Sequence, residues 1–282
     1  MRYALRFLFL FASLPLAALE LGATFDLSNL EFDNDRPVTA TSLPGDTYLW
    51  GLSMTGAENL NEDTTVELVY QNDPVLRQIV YTRLQYTDQF FRISVGPFFG
   101  LLNAPDTLLQ SGLSTTVELF APGVARIGLR SDTSLSGRLV VAGDYIQERS
   151  ELSVGFYVPN ALPTLYIRSK RYTYKTSTGE NVDSLTAYGL ETDVFQKNIP
   201  YQVTLDFAFQ SRSLAFVAGS TTTHAYGAIV LGTDIRAQVT ESLSVHLDLE
   251  SSIYTFGTEF LVGTVNTESF LFRARLGASV IL

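Results

Sequence analysis

The sequence predicts an all-β fold, a closed antiparallel transmembrane β-barrel of about fourteen strands, with twelve and sixteen also open. Three observations carry this reading. Beyond residue 20 no apolar run approaches the roughly 20 residues that a spanning helix needs, although 46% of the chain is hydrophobic and 12% aromatic. Runs of eight to fifteen residues instead alternate apolar and polar side chains and then stop at a turn, the period of a strand with two unlike faces. The charges within those runs fall on one parity. A chain that meets lipid with strands must close them, because an open sheet edge leaves backbone groups unpaired in hydrocarbon.

Taken in order, Arg2 and Arg6 precede an apolar run from Phe7 to Leu19, which is broken by Ser13 and Pro15 and carries the small pair Ala17 and Ala18. This is the pattern of a secretory signal. Residues 1–19 are therefore expected to be removed, with cleavage at residues 18 to 20, and residues 20–282 to form a single barrel domain without linkers. Those first nineteen residues hold two arginines and no acid, so the formal charge of −10 becomes −12 after cleavage. Nucleic acid is a poor partner for such a chain. The absence of cysteine leaves no disulfide and no lipid-modified cysteine of the kind that anchors bacterial lipoproteins.

The stretch from Leu19 to Phe32 reads as the first strand and is too short for a plug. Parity is clear at Phe91 to Val95, Leu113 to Leu119 and Leu152 to Val158. Between Tyr201 and Ser213 the odd positions Tyr201, Val203, Leu205, Phe207 and Phe209 oppose Gln202, Thr204, Asp206, Gln210 and Arg212. Between Ser242 and Phe256, Leu243, Val245, Leu247, Leu249 and Ile253 oppose Ser244, His246, Asp248, Glu250 and Ser252.

Cross-strand partners must share a face, which tests candidate turns. Tyr86 aligns with Phe91 across Asp88-Gln89, Tyr145 with Leu152 across Glu148-Arg149, Val194 with Tyr201 across Lys197-Asn198, and Val239 with Leu243 across Thr240 to Ser242. Longer connections near 33–44, 72–77, 99–111, 175–183, 213–223 and 257–266 tend to alternate with these short ones. Fifteen runs result, and an odd number would put the termini on opposite sides. Residues 112–131, whose lipid-side parity passes unbroken through Pro122-Gly123, are read as one bulged strand, which leaves fourteen.

Aromatics gather near the strand ends at Tyr48, Trp50, Tyr86, Phe91, Tyr145, Tyr201, Tyr254 and Phe256, as interfacial girdles would. The opposite parity gives the expected lumen lining: Arg83, Arg92, Glu118, Arg126, Glu191, Asp206, Arg212, Asp234, Arg236, His246, Asp248, Glu250, Arg273 and Arg275. Glu67, Asp144, Asp193, Arg130 and Arg138 share it. Arg168, Lys170 and Arg171, with Tyr166, Tyr172 and Tyr174, read as a strand rising above the membrane; the other reading is a patch for lipopolysaccharide phosphates or an anionic solute.

The last stretch, Thr267 to Leu282, sets Phe270, Phe272, Ala274, Leu276, Ala278, Val280 and Leu282 against Leu271, Arg273, Arg275, Gly277, Ser279 and Ile281. It resembles the closing strand of bacterial outer-membrane β-barrels, which the barrel-assembly machinery reads, although those usually finish in Phe or Trp where this chain has Leu282. Gly96-Pro97-Phe98-Phe99-Gly100 and Ala121-Pro122-Gly123 look like segments of uncharacterised spirochaete outer-membrane proteins. The resemblance implies an outer-membrane location, contact with lipid, and a porin-like channel for passive diffusion of small hydrophilic solutes, ions included. The alternative is a non-conducting structural or surface-interaction barrel whose lumen is filled by its own charges. It sets no oligomeric state.

Enzymatic readings have little support. The two histidines are His224, in a Ser/Thr-rich loop, and His246, for which Ser244, Ser252, Asp248 and Glu250 make only a nominal hydroxyl, imidazole and acid group. Phosphate-binding glycine loops and calcium-loop patterns are missing, so no cofactor and no metal is implied. Centring the last turn in the 257–266 loop sets Leu247 opposite Leu276, Leu249 opposite Ala274, Glu250 opposite Arg273 and Asp248 opposite Arg275. On the other flank Arg236 faces His246 and Asp234 faces Asp248.

Overall fold

A computed structural model describes residues 19–28, 49–73, 77–102, 108–134, 145–176, 179–195, 199–218, 220–256 and 268–282. Alternating sequence gives β1 (Leu19–Ser28), β2 (Leu49–Asn59), β3 (Thr64–Asp73), β4 (Arg77–Thr87), β5 (Phe91–Leu102), β6 (Leu108–Ala121) and β7 (Ala125–Ser134). There follow β8 (Tyr145–Phe156), β9 (Ala161–Thr176), β10 (Gly179–Phe195), β11 (Tyr201–Ala218), β12 (Ser220–Gln238), β13 (Leu243–Phe256) and β14 (Glu268–Ile281). Each strand pairs antiparallel with the next, and β1 pairs with β14, so the sheet is a closed barrel. The seam runs from Ser28 opposite Arg273 to Glu20 opposite Ile281, and ends with the Leu282 amide donating to the Leu19 carbonyl at 2.9 Å.

The apolar parity faces outward. On β11, Tyr201, Leu205, Phe207 and Phe209 are exposed while Ala208 and Arg212 on the other face are buried. Eight residue steps of about 3.3 Å separate Tyr201 from Phe209, which at a barrel tilt of about 40° gives an apolar band about 20 Å high. Trp50 stands exposed near one rim, and Tyr86 and Tyr201 near the other, as aromatic girdles require. Tyr48 lies outside the described residues.

Short turns occupy one rim, at residues 60–63, 88–90, 122–124, 157–160 and 239–242, and the facing ends of β10 and β11 lie at the same rim. The strand ends that face one another in β1–β2, β3–β4, β5–β6, β7–β8, β9–β10, β11–β12 and β13–β14 lie at the other. Two of the long connections read from sequence turn out to be mostly strand: β9 and β10 run to Thr176 and from Gly179, and β11 and β12 run to Ala218 and from Ser220.

Fourteen strands is the number expected from the sequence, but two of the assignments behind it are reversed. Pro122-Gly123 is a turn and not a bulge: the Val124 amide donates to the Ala121 carbonyl at 2.9 Å, and Gly123 has φ 71°. Proline with its fixed φ, followed by a residue at positive φ, suits a type II turn. Conversely, Glu148-Arg149 lies inside the continuous strand β8, so Tyr145 and Leu152 do not pair; their partners are Tyr174 and Ile167 on β9. A three-residue loop returns the chain on the same parity, with Leu119 opposite Ile127 and Val117 opposite Leu129. That is why alternation passed unbroken through a real turn.

Register elsewhere agrees or differs by two. Val239 and Leu243 close their turn with a 2.9 Å hydrogen bond, and Ile235 faces Leu247. Tyr86 pairs with Ile93 instead of Phe91, and Val194 with Val203 instead of Tyr201, shifts that keep the same face. Between Tyr81–Phe98 and Leu84–Val95, the β4–β5 ladder skips Thr82 and Arg83.

Replacing Gly123 by Val should destabilise the barrel by about 1 to 2 kcal/mol, because a β-branched residue is strained at positive φ. The urea midpoint of the refolded protein reads this. An unchanged midpoint would show that the turn contributes no constraint.

Candidate functional site

The interior face of the wall carries the charges, and the register fixes which of them are neighbours. One row of cross-strand partners runs from β7 to β14: Arg126, Gly155, Thr164, Glu191, Asp206, Gly232, Glu250 and Arg273. A second row sets Asp193, Thr204, Asp234, Asp248, Arg275 and Asp26 side by side. Acids therefore concentrate on β10 to β13, and two like-charged pairs, Glu191–Asp206 and Asp234–Asp248, stand directly opposite each other. Such pairs are unfavourable in a sheet.

The expected ladder between the last two strands is present in its backbone register: Leu247–Leu276, Leu249–Ala274, Glu250–Arg273 and Asp248–Arg275 are all partners. Arg275 also forms an ion pair with Asp248. The structure adds a contact across the seam, where Arg273 donates to Asp26 at 2.7 and 2.8 Å. Arg236 faces His246 and Asp234 faces Asp248, as the turn arithmetic gave, and Arg236 also reaches Asp234 on its own strand at 3.0 Å.

On the other side of the barrel, Arg83 binds Glu67 at 3.2 Å, with its Nε donating to Ser114 at 3.3 Å. Arg92 binds Glu118 at 3.0 Å, leaving Arg126 a longer 3.9 Å contact to the same carboxylate. Arg212 is buried on the inner parity of β11. His246 lies 3.2 Å from the Thr24 hydroxyl, and Ser244 pairs with Ser279 at 2.7 Å. The nominal catalytic grouping around His246 is thus divided among different partners. Gly277 opposite makes room for the ring, since a Cβ there would meet the imidazole. His224 is not in a loop but in β12, paired in register with Leu214 on β11, and Arg138 and Asp144 lie outside the described residues.

Several interior residues were not in the expected lining. Tyr166 and Arg168 do not rise above the membrane: the Tyr166 hydroxyl donates to Asp206 at 2.9 Å, and Arg168 binds Glu151 at 2.7 Å and lies over the Tyr166 ring. Arg171 is on the opposite face, exposed and paired in register with Glu148. Asp132 is fully buried and accepts from Ser114 at 2.6 Å. The signal for Asp26 and Arg168 was available, since Asp26 lies between exposed Phe25 and Leu27, and Arg168 shares the parity of Thr164 and Tyr166, opposite to exposed Leu165 and Ile167. The interior is also less uniformly polar than parity suggested. Val69, Ile79, Tyr81 and Phe98 form one buried apolar cluster, and Tyr166, Leu185, Ala187, Ala208 and Val230 another. The first lies on β3 to β5 and the second on β9 to β12, about half a circumference apart and so on facing walls.

A cavity of about 420 Å³ lies among the charges, lined by Arg126 and Arg168 on one side and by Glu191, Asp193, Asp206, Asp234, Asp248, Glu250 and Arg275 on the other. Strands β7 and β14 are half a circumference apart, so a space touching both Arg126 and Arg275 crosses the lumen. A second cavity of about 440 Å³ lies toward the short-turn rim and shares Gln202 and Arg236 with the first. Among the described residues no group of three or more acidic, histidine or cysteine side chains is placed to hold a metal ion.

No protein-family model and no curated protein matches the sequence. Solved structures do align over most of its length. One is the in-vitro folded OmpT, an outer membrane protein of Vibrio cholerae, at 10% identity and TM-score 0.43, covering 96% of this chain and 99% of that one. A second is a bacterial polysaccharide outer membrane secretin, at 10% identity and TM-score 0.45, with 94% and 98% covered. A third is an anion-selective porin from Comamonas acidovorans, at 10% identity and TM-score 0.39, with 94% and 99% covered. Likeness at this level assigns no activity, and the barrel stands on its own strand pairing.

Proposed function

We propose that the chain is a channel of the bacterial outer membrane through which small hydrophilic solutes and ions diffuse passively. The observation that carries this reading is the charged cavity that crosses the lumen and adjoins, through Gln202 and Arg236, a second cavity at the short-turn rim. An apolar outer band suits lipid, and an interior that keeps both signs of charge wet suits polar solutes. Delivery by a cleaved signal and insertion by the barrel-assembly machinery complete the proposal.

A second reading is favoured by a different observation. Asp132, Ser114 and Phe98 on β5 to β7, with Arg212 on β11, are packed to 2% exposure or less, as in a barrel filled by its own side chains. Planar-bilayer recording decides between the two. The channel reading expects stepwise conductance from the refolded protein, and Arg273→Ala combined with Arg275→Ala should shift the reversal potential toward cation selectivity in a salt gradient. Each ion pair removed contributes only about 0 to 1 kcal/mol in a wet lumen, so the double variant should stay folded. Silent bilayers, together with a double variant that no longer folds, would favour the filled barrel.

A further inference from the structure

The distribution of charge around the lumen says more than that it is polar. Along the row from Arg126 to Asp206, the first base and the first acid are separated by Gly155 and Thr164, the smallest side chain and a short one. Three strand spacings of about 4.8 Å put about 14 Å of wall between the two backbones, and both charged side chains line the same cavity. Among the described residues Arg126 has one ion contact, at 3.9 Å, to a carboxylate that Arg92 already holds, and its Nε is buried without a hydrogen-bond partner there. Glu191 has no ion pair among the described residues and faces Asp206, another acid.

A wall that only needed to neutralise itself would not set Glu191 against Asp206 while leaving Arg126 poorly matched three strands away. We infer that this segment of the lumen is a subsite for zwitterionic solutes, such as free amino acids and short peptides. Their ammonium group would lie against Glu191 and their carboxylate against Arg126, both of which line the cavity. The inference rests on the channel reading and narrows its solute class. Opposite ends of one solute meet opposite charges, so the solute replaces lost hydration at both ends, which a neutral molecule of similar size does not do.

Swelling of liposomes containing the full refolded chain, with glycylglycine or neutral N-acetylglycinamide as the test solute, measures this. Glycylglycine is expected to enter several-fold faster, and Arg126→Gln and Glu191→Gln are each expected to bring the ratio to unity. If only Glu191→Gln does so, the site selects cations and the zwitterion inference is overturned. Equal rates for the two solutes in the parent protein overturn it as well, while leaving the channel reading intact. No swelling with either solute removes the channel reading, and the subsite with it. Because a variant can misfold, the parent protein is also measured at high ionic strength, where the Debye length shrinks to about 3 Å. There the preference must disappear, and a preference that persists overturns the inference.

Discussion

Replacing Leu276 by arginine should cost about 2 to 4 kcal/mol of folding free energy in a bilayer, because the side chain lies on the lipid face toward the middle of the band. Leu276 is 62% exposed, faces Phe25 on one side and Leu247 on the other, and has lipid as its only solvent. The matched control is Asp248→Asn on the interior face, which removes one ion pair from a wet wall and should cost about 1 kcal/mol or less. Folding titrations into vesicles of defined lipid measure both. Equal losses would mean that the inner and outer faces have been assigned the wrong way round.

Gly96→Ala should be the most damaging small substitution in the barrel. A Cβ at Gly96 would lie 1.8 Å from the Thr82 carbonyl oxygen and 2.9 Å from the Arg83 Cα, both backbone atoms that no rotamer change can move. This is where the β4–β5 ladder skips Thr82 and Arg83, and the β4 backbone occupies the place a side chain at Gly96 would take. The expected cost is at the top of the roughly 1 to 3 kcal/mol that overpacking exacts, or beyond it. Loss of the heat-modifiable band on a gel would report it, and a normal band with a parental urea midpoint would refute it.

Much of this architecture was legible in the sequence because a barrel wall has a period of two and a fixed inside. Parity alone separates Leu247 from Asp248 and Leu276 from Arg275, and with one turn length it gives the β13–β14 register. What parity does not contain is where the chain reverses. An odd loop such as Pro122 to Val124 leaves the alternation intact, so a hairpin and a bulged strand look alike. The proline followed by glycine was the better guide there. Nor does parity say which charges meet. Arg273 shares the interior with Glu250 directly opposite and also binds Asp26, a contact that exists only because the sheet closes. Tyr166 and Arg168 were misplaced for a related reason: a cluster of bases and aromatics reads as an exposed patch until Glu151, one strand away on β8, and Asp206, two strands away on β11, are brought against it.

The seam between β1 and β14 has a consequence for how the chain reaches this state. Asp26 and Arg273, which meet across it, are 247 positions apart in the sequence. Every other strand pair is a hairpin of near neighbours, so thirteen pairings are local and one is as distant as the chain permits. Local pairings form early and the distant one pays its loop-closure entropy last, which makes closure the slow step. Until β14 docks on β1, the growing sheet exposes two unpaired edges beside a broad apolar face, the combination that templates aggregation. Transit through water therefore demands that the chain be held unfolded, and lipid must be present when the edges finally meet.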